Sequence, residues 1–151
     1  MGQLRGLIDT NVLVAAATAG HLHCEPSLEC LESMPLKGLA TSLHCLSEFY
    51  NIATRNIQRG GSGMTPQAAV DAMENYRENL EVLGLSANQH IDAIRKFAAT
   101  GRIGAQIYDY LIGHVAVVHR VPAIITWNVK HMAPLFPASD VVTPAQFAAA
   151  I

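Results

Sequence analysis

Near its amino terminus the chain reads Leu7-Ile8-Asp9-Thr10-Asn11-Val12-Leu13, in which an apolar pair meets an aspartate and a second apolar run follows. The apolar residues before Asp9 are typical of a buried strand, and the residues after it favour a helix. Open parallel α/β sheets bind their ligands beyond the carboxyl ends of the strands, which is where this order places Asp9. Aspartate also favours turns and helix caps, so a purely structural role for Asp9 stays open at this point.

The rest of the chain continues this alternation of short apolar runs and longer helical segments. Helix starts are indicated by Thr65 and Thr143, each followed by proline, and by a capping box from Ser86 to Gln89. Strands are predicted at residues 4–8, 38–41, 81–85, 123–126 and 140–142. The alternation predicts one α/β, Rossmann-like three-layer domain over residues 1–151, with a central parallel sheet of about five strands flanked by helices.

The composition excludes two broad classes of protein. Half of the 151 residues are apolar and only 15% are charged, which excludes intrinsic disorder. The chain has 10 Lys and Arg residues against 12 Asp and Glu residues, which excludes a uniformly basic surface of the kind that coats DNA. Its three cysteines form an odd number at no framework spacing, and no apolar run reaches the roughly 18 residues of a membrane span. We therefore expect a cytoplasmic domain without disulfides or membrane segments.

Two predicted helices each contain an acid that needs explaining. The helix at 42–58 has an apolar stripe at steps of three and four, and Glu48 lies on a different face, beside His44. An ion pair with a nearby arginine is the alternative role for Glu48. The helix at 104–119 is apolar on nearly all sides, which predicts burial, and Asp109 is its only acid. The apolar stripe of the first helix consists of Leu43, Leu46, Tyr50, Ala53 and Ile57.

Acids at strand and helix ends predict a site for a hard metal ion. Thr126 ends the predicted fourth strand and Asn128 follows it, so both lie at the same sheet edge as Asp9. Three carboxylates that converge there cannot all stay ionised without a cation. Oxygen ligands without clustered His or Cys favour Mg²⁺ or Mn²⁺ over zinc. One or two such ions activate water and stabilise a pentavalent phosphate.

The order of these segments resembles the PIN-domain ribonucleases, especially the VapC-type toxins of toxin–antitoxin pairs. Leu7-Ile8-Asp9-Thr10-Asn11-Val12-Leu13 resembles their opening signature, and nearly the whole chain follows the family's motif order. The later motifs are resembled by Ser47-Glu48-Phe49-Tyr50-Asn51, by Tyr108-Asp109, by Thr126-Trp127-Asn128-Val129-Lys130-His131-Met132 and by Val142-Thr143-Pro144-Ala145-Gln146-Phe147.

The resemblance implies a metal-dependent endoribonuclease that leaves a 5′-phosphate and a 3′-hydroxyl. It assigns Asp9, Glu48 and Asp109 as metal-binding acids, with Asn128 in the fourth place, where many relatives have aspartate. It implies that Thr126 orients metal-bound water, and that one or two Mg²⁺ or Mn²⁺ ions bind. It further implies an RNA substrate, a homodimer and an antitoxin whose arm enters the acidic groove. Because Asn128 is neutral, the site carries −3 rather than −4, which weakens a second ion.

Substrate contacts must come from local cations, because the total charge is acidic. The candidates are Arg55, Arg59, Arg102 and Lys130, for which solvated helix ends are the alternative. Two aromatic residues are also close to the motifs. Tyr110 is expected to narrow the groove or to stack on a base. Trp127 suits nucleotide stacking or, as is commoner for a large aromatic after a strand, packing.

Three alternatives remain beside the ribonuclease. The first is a catalytically silent member that binds RNA or a protein partner, which the neutral Asn128 and the acidic pI favour. The second is an acid-based phosphohydrolase on a Rossmann-like sheet, which is disfavoured because Asn11 stands where that chemistry needs a second aspartate. The third is a zinc site, whose candidate ligands match no standard spacing. Those candidates are His21, His23, Cys24 and Cys30.

Overall fold

The computed structural model describes residues 2–151 and contains one parallel sheet of five short strands. All four strand pairings are parallel, and the strand order is β3-β2-β1-β4-β5. Each strand overlaps a segment predicted from the sequence, so the predicted parallel sheet is confirmed. The strands are β1 (Gly6–Ile8), β2 (Leu39–Ser42), β3 (Glu81–Leu83), β4 (Ala123–Ile125) and β5 (Asp140–Val142).

Helices connect the strands and cover the sheet, which confirms the predicted three-layer α/β arrangement. The predicted caps at Thr65, Ser86 and Thr143 each accept a backbone N–H bond of 3.1 Å three residues on. Short 3₁₀ turns lie at Ile57–Arg59 and Ala133–Leu135. The α-helices are α1 (Thr10–Ala17), α2 (Cys24–Glu32), α3 (Leu43–Thr54), α4 (Pro66–Asn79), α5 (Ala87–Ala99), α6 (Gln106–Val118), α7 (Val129–Met132) and α8 (Pro144–Ala149). Within residues 2–151 none of these helices has the length and apolar character needed to cross a bilayer.

The core lies around β1, the middle strand of the sheet, and its two neighbours β2 and β4, which are buried along their whole length. Leu7, Ile8, Ile124 and Ile125 are completely buried, as expected for central strands of a sheet that is covered on both faces. Helix α6 contacts β1, β4 and α5. A Cβ at Gly113 would collide with the ring of Phe136, so the absence of a side chain there permits close packing of α6.

Helix α3 differs from its sequence prediction in length and in buried face. Of the predicted apolar stripe, Leu46 and Ala53 are buried, whereas Leu43, Tyr50 and Ile57 are 61%, 42% and 72% exposed. The buried face consists of Cys45, Leu46, Phe49 and Ala53. It is turned towards Cys45 and Phe49 relative to the predicted stripe, and α3 contacts α1 and α4. The helix ends at Thr54 because Arg55 leaves the helical conformation.

Candidate metal centre

Asp9 follows β1, at the point where the order in which strands are added to the sheet reverses. The chain proceeds from β1 to β2 and β3 on one side and then returns to place β4 on the other side of β1. Ligand crevices of open α/β sheets form outside the carboxyl ends of strands at such a switch point. The Asp9 N–H donates to Ile125 O of β4 at 3.0 Å, and its Oδ1 accepts the Thr10 N–H at 2.7 Å. Asp9 is therefore also the amino-terminal cap of α1.

Thr126 holds the second carboxylate oxygen of Asp9. Its hydroxyl donates to Asp9 Oδ2 at 2.8 Å and accepts from Asn11 Nδ2 and from the Asn128 N–H, each at 3.0 Å. A hydroxyl offers one donor and two acceptor positions, so these three contacts use its whole capacity. Thr126 is completely buried. In this structure the side chain fixes Asp9 directly and joins the loops that follow β1 and β4.

Helix α3 places Glu48 next to the same loop. The Thr10 hydroxyl donates to Glu48 Oε2 at 2.9 Å, and because the Thr10 N–H binds Asp9, this one residue connects the two carboxylates. Glu48 Oε1 lies 2.8 Å from His44 Nε2, one helical turn earlier. The partner of Glu48 is thus a histidine and not the arginine considered as an alternative. The hydrogen bond from His44 lowers the pKa of Glu48, and burial opposes that effect.

Asp109 lies in the first turn of α6 and is half-buried. Burial raises its pKa, the charge of Glu48 raises it further, and the nearby His131 and His44 lower it. Gly113 follows it by one helical turn, where α6 packs closely against Phe136. This close packing brings the first turn of α6 towards the crevice.

The acids influence one another, as expected for side chains that face one crevice. Asp9 is 5% exposed, and its pKa is raised to about 6, first by burial and then by the charges of Asp109 and Glu48, against the bonds from Thr126 and Thr10. The hydrogen bond to Glu48 raises the pKa of His44, and the charges of Asp9 and Asp109 add to this effect. Thr10 thus connects Asp9 with Glu48, Glu48 contacts His44, and Asp109 is near enough for its charge to act on these groups.

The donor set fits a hard divalent ion held partly through water. Asn128 is half-buried at the start of α7, and its backbone N–H donates to the Thr126 hydroxyl that binds Asp9. Within residues 2–151 no group of three or more Asp, Glu, His or Cys side chains is placed to hold a metal ion, so a bound ion would have to keep water among its ligands. Mg²⁺ commonly binds through one or two carboxylates and keeps several waters, and a buried carboxylate with a raised pKa gains from such a cation.

His23, a candidate zinc ligand, and the aromatic residues Trp127 and Tyr110 contact other side chains of the protein. His23 stacks on Trp127 with ring centroids 3.8 Å apart, and Trp127 Nε1 donates to Ser27 Oγ at 2.9 Å. Trp127 therefore packs, which the sequence favoured. Tyr110 is 9% exposed and stacks on Phe136, so the prediction that it narrows the groove is wrong. Tyr110 lies on a side of α6 that faces the core, so its ring packs inside the protein.

The predicted RNA-contacting cations lie on α7 or shortly after the ends of α3 and α5, and they are exposed or half-buried. Arg55 and Arg59 are exposed at the end of α3 and in the following 3₁₀ turn, and Lys130 is exposed on α7. The Arg102 guanidinium is 3.5 Å from Pro134 O. Among residues 2–151 the ion pairs are His44–Glu48, Arg77–Glu74 and Lys96–Asp92, so these four cations have no carboxylate partner. Their role in RNA binding stays a prediction.

Three polar side chains that organise the site were not among the predicted site residues. Thr10 connects Asp9 with Glu48, Asn11 accepts the Trp127 N–H at 3.0 Å, and His44 binds Glu48. A signal existed for each: Thr10 and Asn11 belong to the opening motif, and His44 precedes Glu48 by four residues, a spacing at which helical side chains meet.

The fold and the crevice define an α/β domain with an acidic centre at the carboxyl edge of a parallel sheet. The family model for the PIN domain matches residues 6–130. The chain belongs to the PIN domain family, which confirms the resemblance inferred from its motifs. No curated protein matches the chain by sequence.

Several solved structures share the fold. The Mycobacterium tuberculosis toxin VapC20, which cleaves the sarcin–ricin loop, has a TM-score of 0.68 at 18% identity, over 85% of this chain and 94% of its own. VapBC-1 from nontypeable Haemophilus influenzae has a TM-score of 0.63 at 18% identity, over 93% and 98%. A toxin–antitoxin complex from Klebsiella pneumoniae has a TM-score of 0.63 at 23% identity, over 92% and 97%. At these identities the comparison establishes a common fold.

Proposed function

We propose that residues 1–151 form a single PIN domain that is a metal-dependent endoribonuclease, the toxin of a type II toxin–antitoxin pair. The observation that carries the proposal is that Thr10 binds both Asp9 and Glu48 at the switch point of the sheet, where Asp9 is buried and the charge of Asp109 acts on it. Family membership and the fold shared with toxin–antitoxin proteins support it. An antitoxin partner, a homodimer and a cytoplasmic location belong to the same proposal.

The chain's residues would hold one or two Mg²⁺ or Mn²⁺ ions through Asp9, Glu48, Asp109 and Asn128. Such ions activate water and stabilise the charge that develops on the phosphate. The protein supplies ligands at a site whose base is shielded from water, because Asp9 is 5% exposed and the strands beneath it are buried. Water attacks phosphorus and the bond to the 3′ oxygen breaks, which leaves a 5′-phosphate and a 3′-hydroxyl.

Hydrogen bonds from neighbouring side chains set the positions of these ligands. We assign Thr126 to the orientation of Asp9 rather than to contact with metal-bound water, because its hydroxyl is already used by Asp9, Asn11 and Asn128. Thr10 performs the corresponding task for Glu48. Partners of this kind determine the geometry of metal ligands, and their loss commonly costs about 10- to 100-fold in affinity or activity.

The RNA backbone would be held by Arg55, Arg59, Arg102 and Lys130, which have no carboxylate partner within residues 2–151. Phosphate contacts of this kind make binding weaken as salt rises. They are needed because the chain carries a net charge of −2 and its crevice is acidic.

Carboxylate-to-amide variants test the proposal. Asp9→Asn and Asp109→Asn are expected to abolish cleavage of total RNA in Mg²⁺ or Mn²⁺ and to relieve growth arrest on induction. Asp140→Asn is the matched control, since Asp140 is exposed at the amino end of β5, the opposite edge of the sheet. Unchanged cleavage in both site variants would refute the assignment.

A catalytically silent domain that binds RNA or a protein partner is the second candidate. The neutral Asn128 favours it, because the fourth ligand position lacks the charge found in many relatives. Calorimetric titration separates the two candidates: a silent domain binds neither Mg²⁺ nor Mn²⁺ in a manner that depends on Asp9 and Asp109.

A further inference from the structure

Tyr108 is a large aromatic side chain exposed directly beside the acidic centre. It precedes Asp109 in the first turn of α6, and it is 54% exposed. Its ring centroid lies 6.0 Å from that of His44, and the two ring planes are within 9° of parallel. Two flat rings from different helices therefore lie in nearly the same orientation at the edge of the crevice.

The orientation of this ring pair is tied to the carboxylates. His44 is fixed by its 2.8 Å contact with Glu48, and Glu48 is fixed in turn by Thr10. Tyr108 is attached to Asp109 through the backbone of a helix. The contact with His44 thus places the Tyr108 ring one side chain away from Glu48.

No other aromatic near the motifs is free to contact a ligand in this way. Trp127 stacks on His23, and Tyr110 is buried against Phe136. Tyr50 is 42% exposed on α3 but has no ring partner within residues 2–151. Tyr108 alone among these combines exposure, a fixed plane and adjacency to a predicted metal ligand.

Single-stranded RNA offers a planar surface that matches this ring. Its unpaired bases stack on aromatic side chains, and such stacking depends little on the base because every base has a π face. An acidic crevice repels phosphates until cations compensate for it, so an uncharged contact with a base is a useful anchor there. Bases within a duplex are already stacked and do not present this face.

We propose that Tyr108, backed by His44, is a stacking platform for an unpaired nucleobase next to the cleaved phosphate. The proposal rests on the ribonuclease function above and adds to it a residue that positions the substrate beside the predicted metal ligands. Tyr108 and His44 act here as positioning residues for the substrate, apart from the acids that perform the chemistry.

Binding of two oligomers with equal charge tests the platform. The probes are fluorescein-labelled octa-adenylate RNA and an abasic ribose-phosphate octamer, measured by fluorescence anisotropy in Ca²⁺. Tyr108→Leu is expected to weaken octa-adenylate binding roughly 5- to 150-fold, the range typical of one stacked base. Binding of the abasic octamer should not change, whereas a general loss of structure would weaken both. Tyr108→Phe, which keeps the ring, and Tyr50→Leu, the matched control, should bind like the wild type.

A separate assay of RNA cleavage by the wild-type protein in Mg²⁺ or Mn²⁺ tests the ribonuclease function. It distinguishes an error in the proposed role of Tyr108 from an error in the proposed function. Equal octa-adenylate affinities of Tyr108→Leu and wild type, together with wild-type cleavage, overturn the platform and leave the function standing. A base-dependent loss in Tyr108→Leu without any wild-type cleavage supports the platform and overturns the function. Failure of the wild type both to bind and to cleave overturns both.

Discussion

In protein free of metal, replacing Asp9 by asparagine should make the fold more stable near neutral pH. The pKa of Asp9 is raised from its usual 3.8 to about 6, mainly by burial. The protonated form therefore stabilises the folded state fully below about pH 3.8, and this contribution is lost as the pH rises through about 6. The difference between the two pKa values corresponds to about 3 kcal/mol.

The net gain is smaller because asparagine accepts fewer hydrogen bonds. Asp9 accepts the Thr10 N–H and the Thr126 hydroxyl, and the amide group of asparagine can satisfy only one of these donors. A donor left without a partner in a buried site costs about 1–3 kcal/mol. We expect Asp9→Asn to be more stable than the wild type by up to about 2 kcal/mol near neutral pH, with the advantage shrinking towards pH 4.

Urea unfolding in EDTA at several pH values measures this difference. Mg²⁺ or Mn²⁺ should then stabilise the wild type and leave Asp9→Asn nearly unaffected, because ligand binding to the folded state adds to its stability. The exposed Asp140→Asn serves as the control at the other sheet edge. A wild type that is equally stable at every pH in EDTA, with no response to either ion, would refute the reasoning.

Three further predictions concern single side chains. Thr126→Val removes the hydrogen bond to Asp9 and should lower kcat for RNA cleavage about 10- to 100-fold. Thr126→Ser keeps the hydroxyl and should retain activity. Equal cleavage rates for the two variants would contradict this prediction. Gly113→Ala should cost about 1–3 kcal/mol in urea unfolding, because its Cβ meets Phe136; unchanged stability would show that the helix shifts freely. Ser86→Ala should cost about 1 kcal/mol by loss of its cap bond, and Ser86→Thr provides the comparison.

The strands and the acids were predictable from sequence because each has a local signal. β1 and β4 are short apolar runs, and Asp9 marks the end of the first. The orientation of α6 was not predictable, because a helix that is apolar on nearly all sides does not reveal which face is buried. Tyr108 and Tyr110 are two positions apart, yet only contact with Phe136 and Phe97 decides that Tyr110 enters the core.

The bonds that orient the candidate catalytic carboxylate also hold the two central strands together. Asn11, on α1, accepts the Trp127 N–H and donates to Thr126, while Thr126 binds Asp9, so the loops after β1 and β4 are joined through the site itself. An isolated buried charge would favour opening of this crevice, since burial disfavours the ionised form. The network opposes that opening and keeps Asp9 in place. Because these contacts and the bond from the Asp9 N–H to Ile125 all cross from β1 to β4, we infer that the position of the acid follows from the strand order, with β4 placed beside β1.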